Sequence, residues 1–263
     1  MTKKFKKLLL IGANLCLLSQ LSFGNTTLRV GATPVPHAEI LQEIKPDLAK
    51  EGIDLKIIEF TDYVTPNLAL ADKDLDANFF QHVPYLDKFK KERNLKLSSA
   101  GNIHLEPLGL YSKKHKSLSE LTKKDTIAIP NDPSNGGRAL ILLHKNGIIT
   151  LKDPTNLYST EFDIIKNPKK LKFKSLEAAQ LPRVLDDVDF AVINTNFVIE
   201  TGLSPEKDAL LIEGKDSPYA NIIAVRDEDL NKPKIKKLMK ALQSEKVKKF
   251  IKKKYKGAIV TAF

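Results

Sequence analysis

Short apolar strands and amphipathic helices alternate along the chain from Thr27 to its C-terminal end. The pattern predicts a strand at residues 28–32, a helix from Pro36 to about Glu51, and a second strand at residues 55–60. The same alternation continues over the rest of the 263 residues. Alternation of this kind predicts an α/β fold, here with two mixed, mainly parallel sheets and flanking helices.

The predicted elements form two successive sets, which indicates two lobes. We expect residues 1–24 to be a leader, 25–114 to form lobe 1, 115–201 to form lobe 2, and 202–263 to return to lobe 1 and add C-terminal helices. Ligands of open α/β sheets bind beyond the carboxyl ends of strands. The sequence therefore predicts a ligand cleft between the lobes, lined by polar residues that follow strands.

The leader has the features of a secretory signal. Four lysines precede a mostly apolar stretch at residues 8–21, and Ser22-Phe23-Gly24 places small residues at the cleavage site. We expect cleavage after Gly24 and a periplasmic protein; the alternative is an uncleaved anchoring helix. The only cysteine, Cys16, follows Leu15, where a lipidation signal needs a small residue. A lipid-anchored form is thus disfavoured, and the mature chain is expected to lack cysteine chemistry.

The net charge of +11 lies at the two ends of the chain. The last 38 residues hold 13 basic and 4 acidic residues, and residues 25–225 hold 26 basic and 28 acidic ones. In the tail the lysines alternate with apolar residues at helical spacing, so a solvated helix face is the simplest interpretation. Peripheral contact with anionic lipid headgroups or an acidic transporter surface, and a surface adhesin, remain alternatives. Nucleic-acid binding is not expected behind an export signal.

Residues 131–138, Asn-Asp-Pro-Ser-Asn-Gly-Gly-Arg, form the most informative motif. We expect residues 131–137 to form a turn after a strand and Arg138 to open the next helix. Free backbone N–H groups at such a junction favour an anion, and the Arg138 fork can hold a carboxylate in a bidentate manner. A capped helix with a surface arginine explains the local pattern equally well.

Residues 76–82 place two aromatics, two amides and a histidine just after a predicted strand. Phe80 and His82 share one side of an extended segment and are candidates to wall a pocket with Tyr63. Alternatively, Phe80 belongs to the core and His82 is a surface residue. Asn194 and Asn221, beside two later strands, are candidate hydrogen-bonding groups, although asparagine is also common in turns.

Catalytic motifs are absent from the sequence. The five histidines show no metal-ligand spacing, and no nucleophile elbow occurs. No catalytic residue, metal or cofactor is therefore expected.

Together the motifs resemble the methionine-binding lipoprotein family, the substrate-binding components of bacterial methionine ABC importers. The matching segments are residues 30–38, 59–63, 78–82, 106–112, 129–139, 177–183 and 217–221. The resemblance implies a two-lobe, type II-like periplasmic-binding-protein fold that binds methionine by lobe closure. It also implies an ABC permease as partner and a monomer. D-methionine or a methionine-containing dipeptide remains an alternative ligand.

The resemblance also implies roles for individual residues. Tyr63, Phe80 and His82 are expected to line the methionine side-chain pocket. Arg138 and Asn135 are expected to hold the α-carboxylate. Asn194 and Asn221 complete the polar shell, and Asn196 is the alternative to Asn194 as the residue facing the ligand. None of these residues is acidic, so we expect amide oxygens or a backbone carbonyl to receive the ammonium group.

Overall fold

The computed structural model describes residues 26–214 and 217–263. The leader and Cys16 lie outside the described residues. The strands are β1 Thr26–Ala32, β2 Ile53–Glu59, β3 Ala77–His82, β4 Leu97–Leu105, β5 Gly109–Tyr111, β6 Thr126–Pro130, β7 Thr150–Leu151, β8 Ile164–Lys166, β9 Lys172–Leu176, β10 Phe190–Ile193, β11 Leu211–Ile212, β12 Ala220–Arg226 and β13 Val260–Thr261. The α-helices are α1 Glu39–Lys50, α2 Thr65–Ala71, α3 Val83–Arg93, α4 Pro133–Lys145, α5 Thr195–Glu200, α6 Pro205–Asp208, α7 Pro233–Leu242 and α8 Glu245–Tyr255.

The larger sheet has six strands in the order β13-β4-β12-β3-β1-β2. Strand β1 pairs in parallel with β2 and β3, whereas β12 pairs antiparallel with β3 and β4. Helix α1 covers this sheet with Ile40, Leu41, Ile44 and Leu48, which recur at helical spacing and are buried. The helix ends before Gly52, whose φ of 74° suits glycine.

The smaller sheet has five strands in the order β11-β5-β10-β6-β9. Strand β6 pairs in parallel with β9 and β10, and β5 pairs antiparallel with β10 and β11. Its apolar face packs against α4, where Leu140 and Leu143 are almost fully buried. Both sheets are therefore mixed and flanked by helices, which confirms the predicted fold class.

The chain passes between the two sheets twice. The first crossing joins β4 to β5 through residues 106–108, and the second leads from the end of β11 at Ile212 to the start of β12 at Ala220. Strands β5 and β11 belong to the smaller sheet, although the sequence assigned residues 109–111 and 211–212 to lobe 1. The predicted lobe limits stay predictions, and sheet membership favours placing them in the two crossings.

Several predicted elements differ from the structure. Residues 77–82 are strand β3 itself rather than a segment after a strand, and all six are buried. Helix α4 begins at Pro133, so residues 133–137 are helical and Arg138 lies in the second turn instead of at the helix opening. The pattern predicts a helix over residues 177–185 that Pro182 interrupts, and the structure has a 3₁₀ helix at residues 178–184 that contains Pro182. The short hairpin of β7 and β8 was not predicted.

Candidate functional site

A small pocket with a cavity volume of about 20 Å³ lies beside the two crossings between the sheets. All eight residues that the sequence proposed as ligand-binding line it. They are Tyr63, Phe80, His82, Asn135, Arg138, Asn194, Asn196 and Asn221, joined by Gln81, Tyr85, Glu106 and Thr195. The fold thus brings together side chains that are up to 158 positions apart in the sequence. The ligand contacts of these residues remain a prediction.

One wall of the pocket is aromatic. The ring of Tyr63 lies 5.8 Å from that of Phe80 and 5.1 Å from that of Phe197, between ring centroids. The Tyr63 hydroxyl donates to Asn196 Oδ1 at 2.6 Å, and the Tyr85 hydroxyl donates to the Tyr63 carbonyl. Burial raises the pKa of Tyr63 well above its usual value, so the hydroxyl stays neutral. Such a wall suits an apolar, polarizable side chain.

His82 is a neutral hydrogen-bonding group. Its Nδ1 accepts the Tyr85 backbone N–H at the start of α3, which leaves the proton on Nε2. Nε2 then donates to Asn135 Oδ1 at 3.2 Å. Burial, together with the nearby Arg138 charge, lowers the pKa of His82 to about 3. His82 therefore orients the Asn135 amide without adding charge to the pocket.

Asn135 is the centre of a buried amide network at the start of α4. Its Nδ2 donates to both Asp132 carboxylate oxygens, at 3.1 and 2.9 Å, and Asp132 also caps the helix by accepting the Asn135 backbone N–H. The Asn135 Oδ1 accepts from His82 and from Asn194 Nδ2. Within the described residues the side chain of Asn135 is thus engaged by protein groups on both of its ends.

Arg138 lies between the two crossings. Its Nη2 donates to the Glu106 carbonyl at 2.7 Å, and its Nε donates to both Glu213 carboxylate oxygens at 3.1 and 3.2 Å. The guanidinium carbon lies 4.4 Å from the Tyr219 ring centroid, a cation–π distance. Within the described part of the chain, Nη1 takes part in none of these contacts. The arginine is therefore fixed on one side, with one nitrogen left for a ligand.

Two further amides have unpaired atoms at the pocket. Asn194 Oδ1 and Asn196 Nδ2 are buried and have no hydrogen-bond partner among the described residues. Buried polar atoms without partners are uncommon in folded proteins, and a ligand is one explanation for them. One of the two atoms is an acceptor and the other a donor, so the pocket can bind a ligand that carries both a donor and an acceptor.

Sequence reasoning missed four charged or titratable residues at this site. Glu106 lines the pocket, Glu213 holds Arg138, and His37 and His104 contact Glu106. None of the eight proposed residues is acidic, but the structure adds the acidic side chain of Glu106 to the pocket lining. Both glutamates lie in the crossings, directly after β4 and β11, and that position was the available signal.

His37, His104 and Glu106 also form the one group among the described residues with the spacing of a shared metal site. All three side chains are buried. Both histidine Nε2 atoms lie within hydrogen-bond distance of Glu106 Oε1, at 3.2 and 2.7 Å. The spacing of residues 37, 104 and 106 along the chain could not predict this cluster.

In the described ranges, every helix is too short or too polar to cross a bilayer.

The structure has two mixed β-sheets that are flanked by helices and joined by two crossings, and a buried polar and aromatic pocket lies beside the crossings. These features define a two-lobe substrate-binding protein. The profile of the NlpA lipoprotein family matches residues 28–263. The chain therefore belongs to the NlpA lipoprotein family, which confirms the resemblance seen in its motifs.

The chain is similar to proteins from several bacteria. The D-methionine-binding lipoprotein MetQ of Escherichia coli K12 is 46% identical over 225 residues, which cover 85% of this chain and 82% of that protein. A nutrient-binding protein from Burkholderia cenocepacia, solved with bound methionine, is 52% identical. It covers 90% of this chain and 100% of its own, with a TM-score of 0.87. The crystal structure of the methionine-binding protein MetQ is 42% identical, covers 90% and 98% of the two chains, and has a TM-score of 0.87.

Proposed function

We propose that this protein is a non-catalytic substrate-binding protein that captures methionine and delivers it to an ABC importer. The carrying observation is the pocket, which combines a fixed arginine, unpaired amide atoms and an aromatic wall. A relative that is 52% identical was solved with methionine bound. A zwitterionic head and an apolar thioether side chain need this combination of groups.

In this proposal each part of methionine meets a matching wall. Arg138 Nη1 receives the α-carboxylate, and Tyr63 and Phe80 contact the thioether chain. The head group is surrounded by Asn194, Asn196 and Asn221. His82 orients Asn135, and Asn135 holds the Asn194 amide in place. Ligand binding closes the two lobes about the crossings, which removes water from Arg138 and strengthens its contacts.

The location of the protein is part of the same proposal. Residues 1–24 direct export, and the mature chain acts in the periplasm as a monomer that meets its permease there. Relatives bear the name lipoprotein, so an anchor through Cys16 is the alternative. Mass spectrometry of the mature N-terminus distinguishes the two: an unmodified chain that begins at Asn25 supports the free form, and a diacylglyceryl group on Cys16 contradicts it.

The direct test is isothermal titration calorimetry with protein that has been unfolded, stripped of ligand and refolded. L-methionine, D-methionine, a methionine-containing dipeptide and leucine are titrated in turn. We expect one methionine form to bind with a stoichiometry of one, and leucine to bind at least about tenfold more weakly because it lacks the thioether. Absence of binding to every methionine compound would overturn the proposal, and preference for the dipeptide would change the ligand.

An arginine variant tests the site within that assay. Arg138→Ala removes the fixed cation and leaves Glu213 without its partner, so we expect affinity for methionine to fall by at least about 30-fold. The matched control is Arg183→Ala, which changes an arginine that does not line the pocket. Equal binding by Arg138→Ala and the wild type would mean that the carboxylate binds elsewhere.

A further inference from the structure

We propose that Glu106 is the anionic group that receives the ammonium of the ligand, and that His37 and His104 are positioning residues that hold its carboxylate. The inference rests on the proposed amino-acid ligand and adds the receptor for its positive end. It differs from the expectation drawn from the sequence, that amide oxygens or a backbone carbonyl receive the ammonium.

The charge balance of the site leaves the Glu106 carboxylate without a lysine or arginine partner among the described residues. Glu106 is 5% exposed and lines the pocket. Arg138 contacts the backbone carbonyl of Glu106, while its ion pair is made with Glu213. Among the described residues, no lysine or arginine forms an ion pair with the Glu106 carboxylate. A buried carboxylate needs a counter-charge or several hydrogen bonds, and a ligand ammonium supplies the counter-charge.

Three side-chain donors lie beside the Glu106 carboxylate. His104 Nε2, His37 Nε2 and Asn221 Nδ2 all lie near one oxygen, Oε1, at 2.7, 3.2 and 3.3 Å. None of these three side-chain contacts involves the other oxygen, Oε2. The three side-chain contacts thus share one oxygen, and the Asn196 backbone N–H also donates to the carboxylate. Among the described residues no side chain donates to Oε2, so this oxygen is open to a ligand.

His37 and His104 contact Glu106 as neutral rings. Thr33 Oγ1 lies 2.7 Å from His37 Nδ1 and can donate to it, which places the His37 proton on Nε2, facing Glu106. Burial lowers the pKa of His37 to about 4 and that of His104 to about 3. Both rings are therefore neutral donors near pH 7. They stabilise the carboxylate without cancelling its negative charge, so the charge remains available to a cation in the pocket.

A second acceptor for an ammonium group lines the same pocket. Asn194 Oδ1 is buried, lacks a partner among the described residues and belongs to another pocket-lining side chain. An ammonium has three donors, and Glu106 with Asn194 offers two acceptors of the kind it needs. Arg138 provides the opposite charge for the carboxylate, so the pocket selects a zwitterion rather than a simple anion.

The test compares methionine with 4-(methylthio)butanoate, which is methionine with hydrogen in place of the amino group. Wild-type protein should bind methionine at least about 100-fold more tightly than this analogue. In Glu106→Gln we expect methionine affinity to fall by about 30-fold or more and the preference over the analogue to shrink below about tenfold. Glu177→Gln, which changes an exposed glutamate outside the pocket lining, is the matched control and should keep the wild-type preference.

The histidines are tested through the same ratio, because loss of packing alone would weaken both ligands equally. His104→Leu should lower the preference for methionine over the analogue by about tenfold, and His104→Gln, which can still donate, should restore most of it. Far-ultraviolet circular dichroism and thermal melts verify that each variant is folded. Equal losses for both ligands in His104→Leu would overturn its positioning role.

Three results would overturn the inference as a whole. One is an unchanged methionine preference in folded Glu106→Gln. Another is wild-type protein that binds the analogue as tightly as methionine, a result that needs no variant. The third is an affinity for methionine that EDTA removes and Zn²⁺ restores in wild-type protein, which would make the cluster a metal site. Failure of wild-type protein to bind either ligand would instead refute the proposed function.

Discussion

Three buried histidines, His37, His82 and His104, act as neutral hydrogen-bonding groups around the pocket. His82 donates to Asn135, and the other two donate to Glu106. Burial lowers the pKa of each to between about 3 and about 4. At the scale of single residues, the site therefore places the Glu106 carboxylate among neutral donors, while the Arg138 guanidinium pairs with the separate carboxylate of Glu213.

This arrangement predicts a loss of stability in mild acid. Below the ordinary histidine pKa of 6.5 the unfolded chain binds protons that the native histidines do not, so the free energy of unfolding falls as pH decreases from about 6.5 towards 4. Each histidine contributes up to about 1.4 kcal/mol per pH unit. The raised pKa of Glu106 acts in the opposite direction and offsets part of the loss.

Urea unfolding at pH 7 and pH 5 measures this effect. We expect the free energy of unfolding to be at least about 2 kcal/mol lower at pH 5, and the loss to be smaller in His82→Gln, which removes one of the three groups. Equal stability at the two pH values, with unchanged m-values, would contradict the neutral state of the histidines.

At the scale of elements, helix α4 carries the polar side of the site. Asp132 caps the helix and also fixes the Asn135 side chain, so capping and site geometry depend on one carboxylate. Gly137 lies where the helix meets the backbone of residues 157–159, and a Cβ there would come within 2.3 Å of the Leu157 carbonyl oxygen. The absence of a side chain at this position lets helix α4 lie against the backbone of residues 157–159.

Gly137→Ala tests that contact. Glycine to alanine inside a helix usually stabilises by about 1 kcal/mol. Here we expect a loss of about 1–3 kcal/mol and weaker methionine binding, because the backbone of residues 157–159 must move. Gly214→Ala is the control, since a Cβ there meets no atom within 4 Å. A Gly137→Ala protein as stable as the wild type would show that the loop yields without cost.

At the scale of the whole molecule, the positive charge lies away from the pocket. Helices α7 and α8 bury Ile235, Leu238, Val247 and Ile251 against the larger sheet. The opposite side of α8 exposes Lys249, Lys252 and Lys253, followed by Lys256 at its end; these four residues form the tail lysine face. This arrangement fits the interpretation of the tail as a solvated surface.

Substitution of all four lysines of the tail lysine face by glutamine tests that interpretation. We expect the free energy of unfolding to change by less than about 0.5 kcal/mol per site and methionine affinity to stay within twofold, because none of the side chains is buried. Sedimentation with phosphatidylglycerol vesicles at 150 mM salt (roughly physiological) should not differ between the variant and the wild type. Vesicle binding that the substitutions remove would favour the peripheral membrane contact instead.

Local pattern was enough to predict most of the helices and strands. The spacing of apolar residues after Pro233 predicts a helix over residues 233–242, and helix α7 has these bounds. Helix α4 was placed five residues late, because Asn, Ser and Gly are typical of turns and yet fit the first turns of a capped helix. The fold class was predictable from the alternation of strands and helices, and the eight proposed residues were assigned through the resemblance of their motifs to the family.

The sequence by itself determined the alternation of elements, the family motifs and the location of the charge at the two ends. Only the tertiary structure decided what Arg138 pairs with and that Glu106, His37 and His104 meet beside the pocket. The physical reason is that hydrophobic periodicity depends on neighbouring residues, whereas Glu213 lies 75 positions from Arg138 and Glu106 lies 69 positions from His37. Such contacts form only when the crossings bring the two sheets together, and burial then sets which groups are charged.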